Sequence, residues 1–198
     1  MKIDILAIIL IILILIIIIK IYYDSDNFQL KCIISGVDGN SYCVRDREKL
    51  KEKKYADHLA KVTYNLKLVV DDCKKNFPDQ LNVKNLKEGF NPKKIVEVLP
   101  TSKYTAYSEN KGEKLAFCLE TEKNSDNLID INTLTFVALH ELAHIASSSI
   151  GHNDEFWNNF KFLLERAEKI GVYQPVDYKK NPKKYCGITI HDNPLYDL

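Results

Sequence analysis

The chain has 198 residues and a nearly even balance of charge, with 28 lysines and arginines against 27 acidic residues. This length suits one domain with a short additional segment. A formal net charge of +1, with small lysine clusters interleaved with acidic residues, asparagine or proline, gives no indication of a nucleic-acid-binding surface.

The first segment of the chain predicts a transmembrane helix. Ile5 to Ile19 form an unbroken run of isoleucine, leucine and one alanine. A helix from Ile3 to Tyr23 would be roughly 31 Å long, about the thickness of a bilayer core. Lys20 and Tyr22 lie at its end, where a lysine side chain reaches the headgroups and aromatic residues favour the interface. We therefore expect a single-pass anchor at the N-terminus.

The anchor is expected to remain uncleaved, because the residues from Lys20 to Asp24 lack the small residues that a signal peptidase recognises. We place the anchor at residues 1–23, a juxtamembrane linker at 24–29 and one folded domain at 30–198. Basic residues are too evenly distributed around the apolar run to predict which side of the membrane the domain faces.

A hairpin and a long helix follow the linker. Asp38-Gly39 lies between two β-prone segments, residues 30–34 and 42–44, which is typical of a β-hairpin. Apolar residues then recur at alternating spacings of three and four, which predicts one buried helix face. This stripe comprises Tyr55, Leu59, Val62, Leu66, Val69, Cys73 and Phe77, and Pro78 ends it. His58, beside the stripe, is interpreted as structural or solvent-facing rather than as a ligand.

The middle of the chain is less regular. Residues 79–102 are predicted to be rich in loops, with a short apolar segment at 95–99. Residues 104–108 and 114–119 flank Asn110-Lys111-Gly112, and this pattern predicts a second hairpin.

Two further helices are predicted in the C-terminal half. Asn132 or Thr133 can cap the first, and Asn153 or Asp154 can cap the second, which ends at Gly171. Together the elements predict an α+β fold. In it, the long helix packs on a small, mostly antiparallel sheet and these two helices complete the core.

Five cysteines are spread along the chain without a C-x-x-C pair, so a cysteine-rich zinc site is not indicated. They are Cys32, Cys43, Cys73, Cys118 and Cys186. In an oxidising compartment we expect one or two disulfides, whereas in cytosol these residues would be small members of the core.

The sequence His140-Glu141-Leu142-Ala143-His144 lies in the first of the two C-terminal helices. Four residues turn a helix by about 400°, so the two histidines share one face and lie one turn apart. This separation suits two nitrogen ligands of one tetrahedral zinc ion. Glu141 then lies beside the metal, where it can accept a proton from a water molecule that attacks a carbonyl group. The pattern therefore predicts zinc-dependent peptide-bond hydrolysis with Glu141 as general base.

Several residues are candidates for the third zinc ligand. The pattern with a third histidine six residues after the second is excluded, because that position is Ile150 and the only methionine is Met1. Glu165 has nearly the spacing of a glutamate ligand, but it points about 150° away from the apolar face of its helix. His152 follows a glycine and is in phase with the apolar face of the next helix. We expect His152 to be the third ligand, with Glu155 as the alternative.

The same region resembles the WLM and SprT-like zinc metallopeptidases. The segments His140–His144, Gly151-His152 and Glu155–Trp157 are similar to the family pattern of H-E-x-x-H, a variable gap, and G-H followed by an aromatic pair. In that family three histidines bind zinc and the glutamate is the base. The resemblance implies a zincin-like fold and the following site residues: the zinc ligands His140, His144 and His152, and the base Glu141.

The resemblance also has implications for substrate binding and for membrane anchoring. In zincins the strand before the active helix lines the cleft and pairs with an extended peptide, which implies residues 114–119 here. The whole chain looks like anchored metallopeptidases of large DNA viruses and algae. Family members that cleave DNA–protein crosslinks carry DNA-binding or ubiquitin-like-binding elements, which are not recognisable in this sequence. The expected partners are therefore a protein or peptide substrate and the lipid bilayer.

Two other functions remain open. Zinc could brace an anchored, non-catalytic protein, although such a site needs no base and normally has a fourth protein ligand. A membrane-attached interaction protein, such as a virion component, would bind no metal. A peptidase would also use a donor for the tetrahedral oxyanion. The sequence favours a structural role for each downstream candidate: Tyr173, Tyr178, Tyr185 and His191.

Overall fold

The computed structural model describes residues 5–25, 29–123 and 125–197. Its helices are α1 (Ile5–Asp24), α2 (Lys49–Asn76), α3 (Leu81–Gly89), α4 (Ile131–Ala146), α5 (Asp154–Lys169) and α6 (Pro194–Asp197). Its strands are β1 (Leu30–Ile34), β2 (Ser41–Arg45), β3 (Ile95–Glu97), β4 (Ala106–Glu109), β5 (Lys114–Phe117), β6 (Lys183–Tyr185) and β7 (Ile188–Ile190). The predicted α+β class is confirmed.

The strands form three small sheets. β1 and β2 form the first predicted hairpin, β3, β5 and β4 form a three-stranded sheet in that order, and β6 and β7 form a C-terminal hairpin. β3 pairs parallel with β5, whereas the pairs β1–β2, β4–β5 and β6–β7 are antiparallel. The sheets are therefore mostly antiparallel, as predicted.

The strand order corrects the strand assigned to substrate pairing. β5, which contains most of residues 114–119, has β3 on one side and β4 on the other. Its backbone hydrogen-bonding groups are thus used within the sheet. Among the described strands, the outer edge of the sheet on this side belongs to β4, which pairs only with β5.

The core forms around α2. Its predicted stripe is buried from Tyr55 to Cys73, and Phe77, just after the helix, is partly buried. α2 packs against α4, β2 and α3. Full burial of one aliphatic side chain is worth about 1.5–3 kcal/mol, so the apolar face, rather than intrinsic helix propensity, stabilises this long helix.

The helix α3 is a correction, because residues 79–102 were expected to be rich in loops. It buries only Val83 and Leu86, and its N-cap residue Gln80 makes no side-chain capping hydrogen bond. So short a helix shows neither a clear period nor a cap in the sequence. Tertiary contacts hold it instead, including a 2.9 Å hydrogen bond from the Asn85 amide to the carbonyl oxygen of Ala146 in α4.

Two glycines bring α3 close to the turn between β4 and β5. A Cβ atom at Gly89 would collide with the carbonyl oxygen of Lys111, and a Cβ atom at Gly112 would collide with the carbonyl oxygen of Gly89. Side-chain methyl groups of Ile145 would lie 2.7 and 2.8 Å from these two Cβ positions. The C-terminal ends of α3 and α4 and the turn therefore meet at a point that has no room for a side chain.

Buried charges join the first hairpin to the three-stranded sheet. Arg47 donates hydrogen bonds to both carboxylate oxygens of Glu97, at 2.7 and 2.6 Å, and to Glu120 at 2.9 Å. Tyr55 of α2 donates to the same Glu120 oxygen at 3.1 Å. Removing one partner from such a buried cluster leaves an uncompensated charge and costs about 3–5 kcal/mol.

Two disulfides connect elements near the ends of the domain. Cys32–Cys43 joins β1 to β2, and Cys118–Cys186 joins the end of β5 to the turn between β6 and β7. Cys73 is a buried free thiol in α2. This is the arrangement expected in an oxidising compartment.

The helix α1 lies outside the core. Its segment Ile5–Tyr23 has a mean hydropathy of 3.4, is long enough to cross a membrane, and has none of its residues buried inside the structure. The predicted boundaries at residues 23 and 30 stay predictions. Part of the predicted linker, residues 26–28, lies outside the described residues.

Candidate metal centre

The helix α4 carries two of the predicted zinc ligands. Asp130, rather than Asn132 or Thr133, is its N-cap, and its carboxylate accepts hydrogen bonds from the backbone and the hydroxyl of Thr133 at 2.9 and 2.8 Å. The helix is buried along most of its length, which fixes its rotation. His140 and His144 consequently face the same side, with ring centroids 5.0 Å apart.

The chain after α4 is tied down in a way that positions His152. The Lys111 ammonium group donates to the carbonyl oxygens of Ser147 and Ser149, both at 2.8 Å, and thus occupies exposed acceptors beyond the helix end. Asn153 caps α5 by accepting a hydrogen bond from Phe156 at 3.1 Å. His152 therefore lies immediately before a capped helix start, as the sequence indicated.

Glu155 fixes the same segment from the first turn of α5. Its carboxylate accepts hydrogen bonds from the backbone amides of Ser148 and Ser149, at 2.7 and 3.0 Å, and from the Ser149 hydroxyl. These bonds, the Ser149 hydroxyl first, lower the pKa of Glu155 to about 2. The carboxylate is thus occupied by the loop, and Glu155 is not a member of the histidine cluster.

Three imidazoles converge in front of α4. One ring nitrogen from each of His140, His144 and His152 can be chosen such that all three lie within 4.8 Å of one another. The Nε2 atoms of His140 and His152 are 3.0 Å apart. Ligands at zinc–nitrogen distances of 2.0–2.1 Å in a tetrahedral site lie roughly 3.3 Å from each other, so the cluster fits a zinc ion after small side-chain adjustments.

Phe156 forms the floor of this cluster. Its ring lies 4.4 Å from His144, 4.6 Å from His152 and 4.8 Å from His140, measured between centroids, and its side chain is fully buried. Helical periodicity alone does not indicate that Phe156 contacts the three histidines. The available signal was its position directly after Glu155, within the aromatic pair that follows the G-H element.

The environment keeps two of the predicted ligands in the form that a metal requires. Burial, and then the proximity of His144 and His152, lowers the pKa of His140 to about 3. Burial first, followed by His152 and Lys111, lowers the pKa of His144 to about 4. Both imidazoles are therefore neutral at physiological pH, with a lone pair free for coordination.

Glu141 points to the cleft beside the cluster. Only 7% of the Glu141 surface is exposed, and burial raises the pKa of its carboxyl group to about 7. A carboxylate whose pKa lies near neutral pH can both accept and release a proton during turnover. Its position next to His140 and its pKa suit the predicted role of general base.

A cleft of about 280 Å³ opens over His140 and Glu141. One wall is α5 with Trp157, and the opposite wall is the β6–β7 hairpin with Ile188 and His191. The Cys118–Cys186 disulfide and a 3.0 Å hydrogen bond from the Tyr185 hydroxyl to the carbonyl oxygen of Thr105 hold this hairpin in place. The cleft lining is largely apolar beyond His140 and Glu141, which is the usual character of a ligand-binding pocket.

The structure also locates the remaining candidates for a zinc ligand and for the oxyanion donor. Glu165 is exposed on α5, away from the cluster, as its helical phase indicated. Tyr173 accepts a hydrogen bond from Asn193 at 3.0 Å, and Tyr178 is fully buried against Phe136. The Tyr185 hydroxyl is engaged by Thr105. Of the four oxyanion candidates, His191 is the one that is exposed and also lines the cleft.

Several known proteins are similar to this chain. An uncharacterized protein of Acanthamoeba polyphaga mimivirus is 31% identical over 166 residues, which covers 81% of this chain and 82% of that protein. An uncharacterized protein of Invertebrate iridescent virus 3 is 38% identical over 99 residues, covering 50% of this chain and 57% of that protein. Among solved structures, Wss1 from Saccharomyces cerevisiae is similar with 18% identity and a TM-score of 0.45, over 64% of this chain and 86% of Wss1.

The family model of the WLM domain matches residues 82–194. This segment contains α3, the three-stranded sheet, the histidine cluster and the C-terminal hairpin, and it is more than half of the chain. The first hairpin and all of α2 precede it. The protein belongs to the WLM domain family.

Proposed function

We propose that this protein is a membrane-anchored zinc metallopeptidase. The observation that carries the proposal is the convergence of three imidazoles beside a buried glutamate at the edge of an apolar cleft. His140, His144 and His152 would hold the zinc ion. When bound, zinc supplies the Lewis acidity that activates water and polarises a peptide carbonyl.

Protein groups would carry out proton transfer, stabilise the oxyanion and bind the substrate. Glu141 accepts the proton of the attacking water and delivers it to the leaving amide nitrogen, from a position directly beside His140 in the cleft. His191, on the opposite wall, donates a hydrogen bond to the oxygen that becomes negatively charged. An extended substrate would pair with the outer edge of β4, because Ala106 of that strand lines the cleft.

The anchoring part of the proposal rests on α1. Its apolar side chains are about half exposed along the whole helix, and they would be poorly solvated in water. Two disulfides in the attached domain support a location on the oxidising side of the membrane. In that arrangement α1 is a single-pass anchor and the peptidase domain faces away from the cytosol.

The test uses the full chain in detergent or nanodiscs. Elemental analysis should find about one zinc per chain, and a quenched peptide library with randomised positions should be cleaved. Glu141→Gln should keep the zinc and lose about 10²–10⁴-fold in kcat, the contribution usual for a general base. The matched control is Glu165→Gln, an exposed glutamate on α5, which should retain both zinc and activity.

Three results would contradict the proposal. A folded, zinc-supplemented chain without bound zinc would favour an interaction protein with no metal. Bound zinc together with unchanged activity in Glu141→Gln would remove Glu141 from the mechanism. Bound zinc without cleavage of any library member would favour a zinc-braced, non-catalytic protein.

A further inference from the structure

The end of α1 contacts the domain at the loop that precedes β4. The Thr101 hydroxyl donates a 3.0 Å hydrogen bond to the carbonyl oxygen of Tyr23, in the last turn of α1. Tyr22 and Pro100 line the same recess, together with Arg45 at the end of β2. Two adjacent residues of α1 thus lie against the segment Pro100-Thr101, which locates the end of the anchor on the domain surface.

The same loop leads directly to the cleft. Thr105 is four residues after Thr101 and lines the cleft with His140 and Glu141. Four residues span at most roughly 14 Å when fully extended. A hydrogen bond from the backbone amide of Ser102 to the carbonyl oxygen of Leu99 makes the start of the segment a turn, so its real span is shorter. The rim of the cleft is therefore close to the end of α1.

The side chains between these two points suit a membrane surface. Lys103 and Tyr104 are exposed, with Tyr104 at 65%. Lys123 joins them by donating a 2.8 Å hydrogen bond to the carbonyl oxygen of Ser102. Tyrosine is enriched at the headgroup level of bilayers, and lysine side chains reach the headgroups with their charged ends. The loop thus continues the interfacial character of the last turns of α1.

We infer that the cleft opens at the bilayer surface and that the substrate is a membrane-proximal, extended segment of a polypeptide attached to the same bilayer. β4 begins at Ala106, five residues after Thr101, so the outer edge of this strand starts on the rim that lies near the end of α1. Confinement of protease and substrate to one surface raises their effective concentration. The substrate class rests on the proposed function, whereas the position of the cleft does not.

The position of the cleft can be measured without catalysis. Trp157 is the single tryptophan of the chain and lines the cleft, so its fluorescence reports from that site. The full chain is reconstituted in phosphatidylcholine vesicles that contain a dansyl-labelled lipid headgroup, and energy transfer from Trp157 is recorded. The matched control inserts 30 Gly/Ser residues after Ser25, a linker with a root-mean-square span of about 30 Å.

Strong transfer that falls clearly in the linker-insertion chain is the expected result. Equal transfer in the two chains, with both shown by flotation to be bound to vesicles, would overturn the position of the cleft. Because the insertion lies outside the domain core, near-ultraviolet circular dichroism should be the same for both chains and would reveal any loss of fold.

The substrate class is tested with the library peptide that the wild-type chain cleaves fastest. One form of this peptide is free in solution, and the other is placed directly after a transmembrane helix in the same vesicles. The wild-type chain should prefer the tethered form by at least about tenfold. The linker insertion should reduce this preference and leave cleavage of the free peptide unchanged.

Equal rates for the tethered and free peptides would overturn the substrate class. Absence of cleavage of every library peptide, in a chain that still shows strong transfer from Trp157, would instead contradict the proposed function and leave the position of the cleft intact. If the preference for the tethered peptide is the same with and without the insertion, the preference comes from the membrane tether alone. That result would also overturn the inference.

Discussion

His58 in α2 is buried and His140 in α4 is partly buried, and both have lowered pKa values, yet their surroundings differ. Burial lowers the pKa of His58 to about 4, and its Nε2 atom has no hydrogen-bond partner among the described residues. Burial lowers the pKa of His140 to about 3, and its Nε2 atom faces that of His152 at 3.0 Å. A lowered pKa therefore reports desolvation in both regions. The convergence of several nitrogen atoms is what distinguishes the candidate metal centre.

The largest expected difference concerns bound zinc. His140→Ala should abolish stoichiometric zinc in the purified full chain, because it removes one of two ligands that a single helix places in register. His58→Leu, which replaces a buried imidazole outside the cluster, should keep about one zinc per chain. Elemental analysis after gel filtration measures both variants. Zinc loss in His58→Leu with a native circular dichroism spectrum would contradict the distinction between the two regions.

The third ligand should matter less than the helical pair. His152→Ala removes a ligand from a more exposed segment, while the register of His140 and His144 on α4 is unchanged. Loss of an outer-sphere partner weakens metal binding about 10–100-fold, so loss of this direct ligand should exceed that range. Competition with a fluorescent zinc chelator gives the affinity. An unchanged affinity would remove His152 from the ligand set.

His58 should make the free energy of unfolding depend on pH under acidic conditions. Above pH 6.5 its imidazole is neutral in the folded and the unfolded chain, so it adds no pH dependence. Between about 6.5 and about 4 the unfolded chain binds a proton that the folded chain excludes, and the free energy of unfolding falls by on the order of 3 kcal/mol.

The comparison with His58→Leu isolates this effect, because the zinc-site histidines are present in both chains. Denaturant unfolding at pH 7 and pH 4.5 is the measurement. The loss of stability between these pH values should be smaller in His58→Leu than in the wild-type chain. An equal loss in both chains would mean that His58 stays neutral or is solvated in the folded state.

The smallest expected effects come from the two helix caps. Asp130→Ala and Asn153→Ala each remove one capping acceptor and should each cost about 1 kcal/mol in the free energy of unfolding. Asn153 also donates to Ser149 at 2.8 Å and adjoins His152, so only its variant should weaken zinc binding as well. Denaturant unfolding and zinc competition on both variants test this difference. Equal zinc affinities would show that the cap does not position His152.

Local signals account for the parts of the fold that the sequence predicts. The stripe from Tyr55 to Phe77 and the histidine pair on α4 follow from helical period alone. His152 was predicted from its phase with α5 and from the family resemblance, and the structure brings it to the other two histidines. Its role as a zinc ligand stays a prediction, since the cluster geometry permits coordination without testing it.

Features that depend on distant contacts were missed. The cap Asp130 lies only two residues before Asn132, and local sequence does not separate such neighbours. The short helix α3 has little apolar period and depends on packing against α4. The role of Phe156 as the floor of the cluster, and the exposure of the β4 edge, both depend on which elements meet in space. These contacts have no signature within a single sequence window.

The contact between Gly89 and Gly112 sets a limit on how this domain can diverge. Most surface positions accept many residues, but here even alanine would push α3, the β4–β5 turn and the end of α4 apart. Lys111, beside Gly112, holds the carbonyl groups that precede His152, so such a displacement would reach the metal ligands. Random mutagenesis scored by zinc retention should therefore find these two glycines, neither of which touches the cluster, among the least replaceable positions of the domain.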